Sequence, residues 1–207
     1  INSKLVIFDM DGTLINSSTI ISDTINYVRT NIGLSQMDQK ILLENINNPH
    51  INPAEFFYET SSFTPRHSQL FEEYYDANCI NSIYLYEGIK ELLEKLSKDN
   101  FTMSIATNAS NEFARKAISH LEIDHHFSYV LGYDDVIEAK PEPEMILKTL
   151  DDLNFADTNS VLVGDSHKDL FAAQSANIKC HLVNWGFSDH KDQGFDNTID
   201  LYNSIVS

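Results

Sequence analysis

Two aspartates two positions apart, Asp9 and Asp11, follow the apolar run Leu5-Val6-Ile7-Phe8 and lead into Gly12-Thr13. A carboxylate pair where a buried strand breaks into a glycine turn makes a compact oxygen-rich site, suited to a hard cation and to phosphoryl chemistry. One carboxylate can attack phosphorus and form an acyl phosphate that water then cleaves. The other carboxyl can protonate the departing alkoxide and later take a proton from water. An Asp-x-Asp pair alone is more often a turn or a helix cap. Its meaning depends on what the rest of the chain brings beside it.

The elements that must do so can be read from hydrophobic periodicity. After a strand over 4–9, residues 15–84 carry only helical signals. Ile20, Ile21, Ile25, Val28 and Ile32 form a stripe that stops at Gly33. Ser35 and Asp38 resemble an N-terminal cap, Asn52-Pro53-Ala54-Glu55 supplies a cap with Pro at the first helical position, and Thr64-Pro65 starts a fourth helix. From about residue 85 helices and strands alternate: helix 88–98, strand 101–106, helix 111–121, strand 128–132, helix 142–152, strand 160–164, helix 168–177 and strand 180–183. Such alternation implies an α/β fold, a parallel sheet with helices on both faces. The expected domains are an α/β core, 1–14 with 85–207, and a small helical insertion, 15–84. The tail after Trp185-Gly186 carries no clear signal.

In a parallel sheet of this kind chemistry gathers at the carboxyl ends of the strands. The first strand ends at Asp9, the second at Thr107-Asn108, and strand 160–164 runs into Gly164-Asp165-Ser166-His167-Lys168-Asp169. Lys140 precedes Pro141 in the connection after the third strand. Parallel register would bring all of these to one edge. A phosphate dianion repels two carboxylates, so a magnesium ion is expected to hold them together, with Asp165 and Asp169 as further oxygen donors. Lys140 would neutralise remaining charge, the Thr107 hydroxyl would donate to substrate, and backbone amides around Asn108 would cradle the phosphate.

These segments, Asp9-Met10-Asp11-Gly12-Thr13-Leu14, Ala106-Thr107-Asn108, Lys140-Pro141-Glu142-Pro143-Glu144 and Gly164-Asp165-Ser166-xx-Asp169, resemble the four signature motifs of the haloacid dehalogenase superfamily, in order and across nearly the whole chain. The helical insertion resembles that family's smaller cap type, and Trp185-Gly186 resembles a pair usual in its phosphoglycolate phosphatase branch. The resemblance implies a Rossmann-like core and a phosphatase. In it Asp9 is the nucleophile, Asp11 the general acid and base, and Thr107 and Lys140 phosphate binders. Asp9, the Asp11 carbonyl and Asp165 would be magnesium ligands, with Asp169 assisting the metal site from behind.

Departures from the pattern choose among branches. Dehalogenases lack the second aspartate, and sugar-phosphate mutases of similar build carry a His about ten residues after it, where this chain has Ile21. Ala109 stands where many phosphoglycolate phosphatases have Lys, and Asn47 or Asn48 where the cap's substrate loop has Gly. A small phosphomonoester, phosphoglycolate-like or a sugar phosphate, is the expected substrate. A phosphosugar mutase, a nucleotide or pyrophosphate hydrolase of the same superfamily, and a receiver-like phospho-signalling protein are the alternatives. A receiver, however, is shorter, has no cap and puts its acceptor on a middle strand.

Composition narrows the remaining classes. The 207 residues are 42% apolar and carry a formal charge of −17, without the clustered Lys and Arg that nucleic-acid binding needs. No tract approaches the ~18 unbroken apolar residues of a membrane span, and Asp9 and Asp11 interrupt the hydrophobic stretch nearest the N-terminus, so no signal peptide is expected. A cytoplasmic protein, monomeric or homodimeric, with no nucleic-acid or membrane partner, follows. Cys79 and Cys180 match no zinc spacing and read as reduced thiols. None of the eight histidines shows ligand spacing with another; His50 is the one with a chance of facing substrate. The insertion carries Arg29, Lys40 and Arg66 against eight acids, a net −5 that grips a highly charged substrate poorly. Its aromatics, Phe56, Phe57, Tyr74 and Tyr75, are read as its own small core.

Overall fold

The computed structural model describes residues 4–46, 48, 50–190 and 193–207. Asn47, one of the two positions matched to the family's loop glycine, lies outside them. The chain divides into two compact units, one of Ile1–Asn16 with Leu85–Ser207 and the other of Ser17–Tyr84.

The first unit is built on β1 (Leu5–Phe8), whose four residues are all buried. Two short strands, β2 (Ile15–Asn16) and β3 (Tyr84–Leu85), form a ribbon apart from the main sheet. The chain leaves and re-enters the unit at one place: the Tyr86 N–H donates to the Leu14 carbonyl at 3.1 Å. The main sheet is completed by β4 (Thr102–Ala106), β5 (Tyr129–Leu131), β6 (Ser160–Gly164) and β7 (Lys179–Leu182), in the order β5-β4-β1-β6-β7. Every pairing is parallel, with Leu5 beside Thr102 on one flank and Ser160 on the other. β1 is therefore central, and its carboxyl end has a neighbouring strand end on each side.

Helices α5 (Ile89–Lys98), α6 (Asn111–His120), α7 (Glu144–Leu153) and α8 (His167–Ser175) make the crossovers. Right-handed connections put α5 and α6 on one face and α7 and α8 on the other, because the strand order reverses direction after β5. Leu5, Ile7 and Leu162 pack with Met145, Ile146 and Leu150 of α7 and with Ala172 and Ala173 of α8. Val6 and Phe8 alternate to the opposite face, where the Phe8 ring meets Phe127 edge-on at 6.3 Å.

Element boundaries differ from the sequence reading in a few places. Helix α7 begins at Glu144 with Pro143 as its N-cap, since Glu142, the residue before a proline, is disfavoured in helical geometry. The tail that carried no clear signal contains α9 (Thr198–Val206), capped by the Asn197 side chain on the Asp200 amide, with Leu201 and Ile205 buried. It packs against α5.

The second unit contains α1 (Ser18–Asn31), α2 (Gln39–Asn45), α3 (Pro53–Tyr58) and α4 (Pro65–Asn78), in the chain order α1 to α4 before α5. The Asp38, Asn52 and Thr64 side chains cap α2, α3 and α4. Ile25, Val28, Leu42, Phe57, Tyr58 and Leu70 form the unit's core; Phe56 packs partly against it, and Tyr74 stacks on Tyr27. Arg29 is buried: its guanidinium donates to the carbonyls of Ser35 and Phe57 and lies 3.9 Å from Glu59. No helix among the described residues is long and apolar enough to cross a membrane.

Candidate active site

Asp9 is the first residue after β1, and its N–H still donates to the Val163 carbonyl at 2.8 Å, so the sheet holds its backbone. The chain then folds back on itself, with the amides of Leu14 and Ile15 both donating to the Met10 carbonyl. Gly12 sits at the tip with φ 87°, and a Cβ there would lie 2.2 Å from the Asp165 Oδ2. Glycine is required twice at this position, for the positive φ and for the approach of Asp165.

Four of the expected residues meet directly. The Lys140 ammonium donates to Asp9 Oδ1 and to Asp169 Oδ1, each at 2.6 Å, with all three side chains nearly or fully buried. Carboxylate oxygens of Asp9, Asp165 and Asp169 lie within 4.8 Å of one another. The second oxygen of Asp169 accepts from the amide and the hydroxyl of Ser166, which closes the first turn of α8. Both Asp169 oxygens are thus engaged by the protein. Asp165 Oδ2 accepts from the Phe187 amide at 2.7 Å.

The other three expected residues have different surroundings. Asp11 stands in the glycine turn; its carboxylate is outside the three-acid group, although its field reaches Asp9. Thr107 is buried at the end of β4, where its hydroxyl accepts from the Ala109 amide. The Asn108 side chain is occupied with Lys140, donating to its carbonyl at 2.7 Å and accepting from its amide at 3.1 Å. The N-cap of α6 is Ser110, so the Thr107-Asn108 pair stands one turn ahead of that helix.

Electrostatics follow from burying three carboxylates around one ammonium. Burial raises the Asp9 pKa to about 7; Asp169 and Asp11 add to the rise, and Lys140 opposes it. Burial also pushes Asp165 well above the usual carboxylate range, with the charges of Asp9 and Asp169 adding to the shift. Burial works against the Lys140 charge, yet Asp169 and Asp9 outweigh it and hold the ammonium firmly protonated. With all groups ionised this cluster carries a net −2, costly in a water-poor site unless a cation joins it. Oxygen donors with that surplus charge fit a divalent hard cation.

Sequence reasoning did not single out Thr13, whose hydroxyl donates to Asp9 Oδ2 at 3.3 Å, nor Ser166 and the Phe187 amide. The Ser-x-x-Asp spacing of 166 and 169 was a readable capping pattern. A backbone amide leaves no trace in residue type. Of the histidines set aside, His181 and His190 are buried in structural positions, and His50 is exposed.

The model of the haloacid dehalogenase-like hydrolase family matches residues 6–183. The chain belongs to that family, and its relatives mark it as a phosphatase within it. A phosphoglycolate phosphatase of Photorhabdus laumondii is 29% identical over 191 residues, covering 89% of this chain and 82% of its own. A pyrophosphatase of Oceanobacillus iheyensis is 26% identical, covering 90% and 86% respectively. Among solved structures, one described as a predicted phosphoglycolate phosphatase from Haemophilus somnus superposes with a TM-score of 0.86 at 26% identity, covering 100% of this chain and 99% of that one.

Proposed function

We propose that the protein is a magnesium-dependent phosphatase that hydrolyses a small phosphomonoester through an aspartyl-phosphate on Asp9. The observation that carries this reading is the buried group of Asp9, Asp165 and Asp169 with Lys140 as its ammonium partner. An Asp9 oxygen forms the new bond to phosphorus while the ester P–O bond breaks, and Asp11, protonated, gives its proton to the departing alkoxide. In the second half Asp11 takes a proton from water, the water oxygen bonds to phosphorus, and the P–O bond to Asp9 breaks. Orthophosphate leaves and Asp9 is restored. Asp9, Asp165 and the Asp11 carbonyl would hold the magnesium, which supplies charge neutralisation between carboxylates and phosphoryl oxygens. Asp169 keeps Lys140 aimed at that place, and Thr107 and the amides at Asn108 bind the phosphoryl group.

The helical residues 15–84 act as a cap in this reading, excluding bulk water and reading the leaving group, with hinges near 14–18 and 82–87. Arg29 is committed to its own unit's carbonyls, Lys40 lies 3.9 Å from Glu44, and Arg66 donates to Gln69. That supports a substrate whose charge is concentrated in one phosphoryl group, such as phosphoglycolate or a sugar phosphate. The pyrophosphatase among its relatives makes pyrophosphate a second candidate. A cytoplasmic enzyme without membrane or nucleic-acid partner, as monomer or homodimer, completes the proposal.

Phosphate release from a panel of phosphate esters and pyrophosphate, with and without magnesium, tests it. Turnover should require magnesium and vanish in Asp9→Asn; substantial release by that variant would remove Asp9 from the nucleophile's role.

A further inference from the structure

The loop that follows β7 reaches back onto the catalytic turn through three consecutive residues. The Trp185 indole N–H donates to the Thr13 carbonyl at 3.0 Å, and Thr13 in turn offers its hydroxyl to Asp9 Oδ2. A Cβ on Gly186 would lie 1.9 Å from the Gly12 carbonyl oxygen and 2.5 Å from Asp165 Oδ2, so the backbone passes there with no room for a side chain. The Phe187 amide holds that same Asp165 oxygen. The loop is itself pinned behind this point, since the His190 ring is buried with Nε2 at 2.9 Å from the Val183 carbonyl.

We infer that Trp185 is a positioning residue for the hydrolysis: its indole N–H, acting through Thr13, fixes the orientation of the Asp9 carboxylate. This rests on the reading of Asp9 as nucleophile. Trp185 is half-buried rather than core filling, and its ring also lines a cavity of about 630 Å³ with Tyr86, Leu92 and Tyr202. The polar edge of the indole is the part turned toward the catalytic turn. Without that donor the Thr13 carbonyl loses its partner, the 10–15 turn gains freedom, and Asp9 samples orientations from which it cannot attack in line. The next two residues give the same loop a hold on Asp165, so displacement of the loop would disturb both acids together.

Trp185 is the chain's single tryptophan, which allows a test that changes one atom. Expression in a tryptophan auxotroph with β-(3-benzothienyl)alanine replaces N–H by sulfur and keeps the ring. The expected result is a kcat lower by about tenfold, KM within about twofold and a melting temperature lowered by no more than about 4 °C. Incorporation of 5-fluorotryptophan, which keeps the N–H, should restore kcat. The unmodified protein should show one indole N–H resonance that moves when magnesium, alone or with orthophosphate, is added. Full kcat in the benzothienyl protein, or an indole resonance indifferent to both additions, would overturn the inference. A lowered melting temperature with kcat per folded molecule unchanged would also overturn it, by reducing Trp185 to a structural role. Absence of phosphate release from the unmodified protein would instead defeat the proposed reaction, and the resonance would still report on the Trp185 contact.

Discussion

Asn108 and Lys140 are tied together by two hydrogen bonds in opposite directions, side-chain amide to backbone carbonyl at 2.7 Å and backbone amide to side-chain carbonyl at 3.1 Å. The arrangement fixes the main chain of the lysine from a strand end 32 positions away. Asn108→Ala should therefore lower kcat by about tenfold and raise KM, through a misplaced ammonium. Asn108→Asp should be worse, because it loses a donor and adds negative charge at an already acidic edge. Steady-state kinetics on the best substrate of the panel would measure both.

Magnesium should stabilise the folded chain by mass action. At a concentration 100 times its dissociation constant the gain is about 2.7 kcal/mol, visible as a raised melting temperature in calorimetry. Asp165→Asn should abolish most of that rise while leaving the metal-free protein folded. An equal rise in the variant would show that the cation binds elsewhere.

His181 gives a pH dependence of stability separate from the acids of the candidate site. Burial pushes its pKa down to about 4, and Lys179 adds to the shift. The unfolded imidazole has the ordinary value of about 6.5, so below it the unfolded chain takes up a proton that the folded one refuses. Stability should fall as pH drops from about 6.5 toward 4, by on the order of 2 kcal/mol from this residue. Urea unfolding at pH 7.5 and pH 5, with His181→Phe losing that component, would check the sign.

Arg29→Met should destabilise the helical unit by about 2–3 kcal/mol, since the carbonyls of Ser35 and Phe57 lose a shared charged donor. Arg29→Lys should recover little, because one ammonium cannot span both acceptors as the planar guanidinium does. Thermal unfolding followed by circular dichroism would separate the two variants from the wild type.

Much of this architecture could be read from residue type and order. Strand ends carry their chemistry in side chains, so Asp9, Thr107, Lys140 and Asp165 pointed to one edge once the sheet was taken as parallel, and the parallel register confirms that premise. The direction of a side chain is a different matter: Asn108 was expected beside a phosphate through its amide, and its side chain turned out to serve Lys140. Thr13 and the Phe187 amide escaped because one lies inside a motif already explained by its acids and the other is a backbone group. Helix α9 escaped although Asn197, Asp200, Leu201 and Ile205 stand at cap and i, i+4 spacing. Its nine residues are short beside the polar stretch that precedes them.

The hydrogen bond between Tyr86 and Leu14 bears on how such a molecule can change over time. Because departure and return meet at this 3.1 Å contact and in the β2–β3 ribbon beside it, the length of whatever lies between them need place no strain on β1 or α5. The inserted helices form a cassette that recombination can shorten, extend or exchange while Asp9, Lys140 and Asp165 keep their places. Under the proposed reading, in which the inserted helices read the leaving group, a new substrate preference would need only a different module.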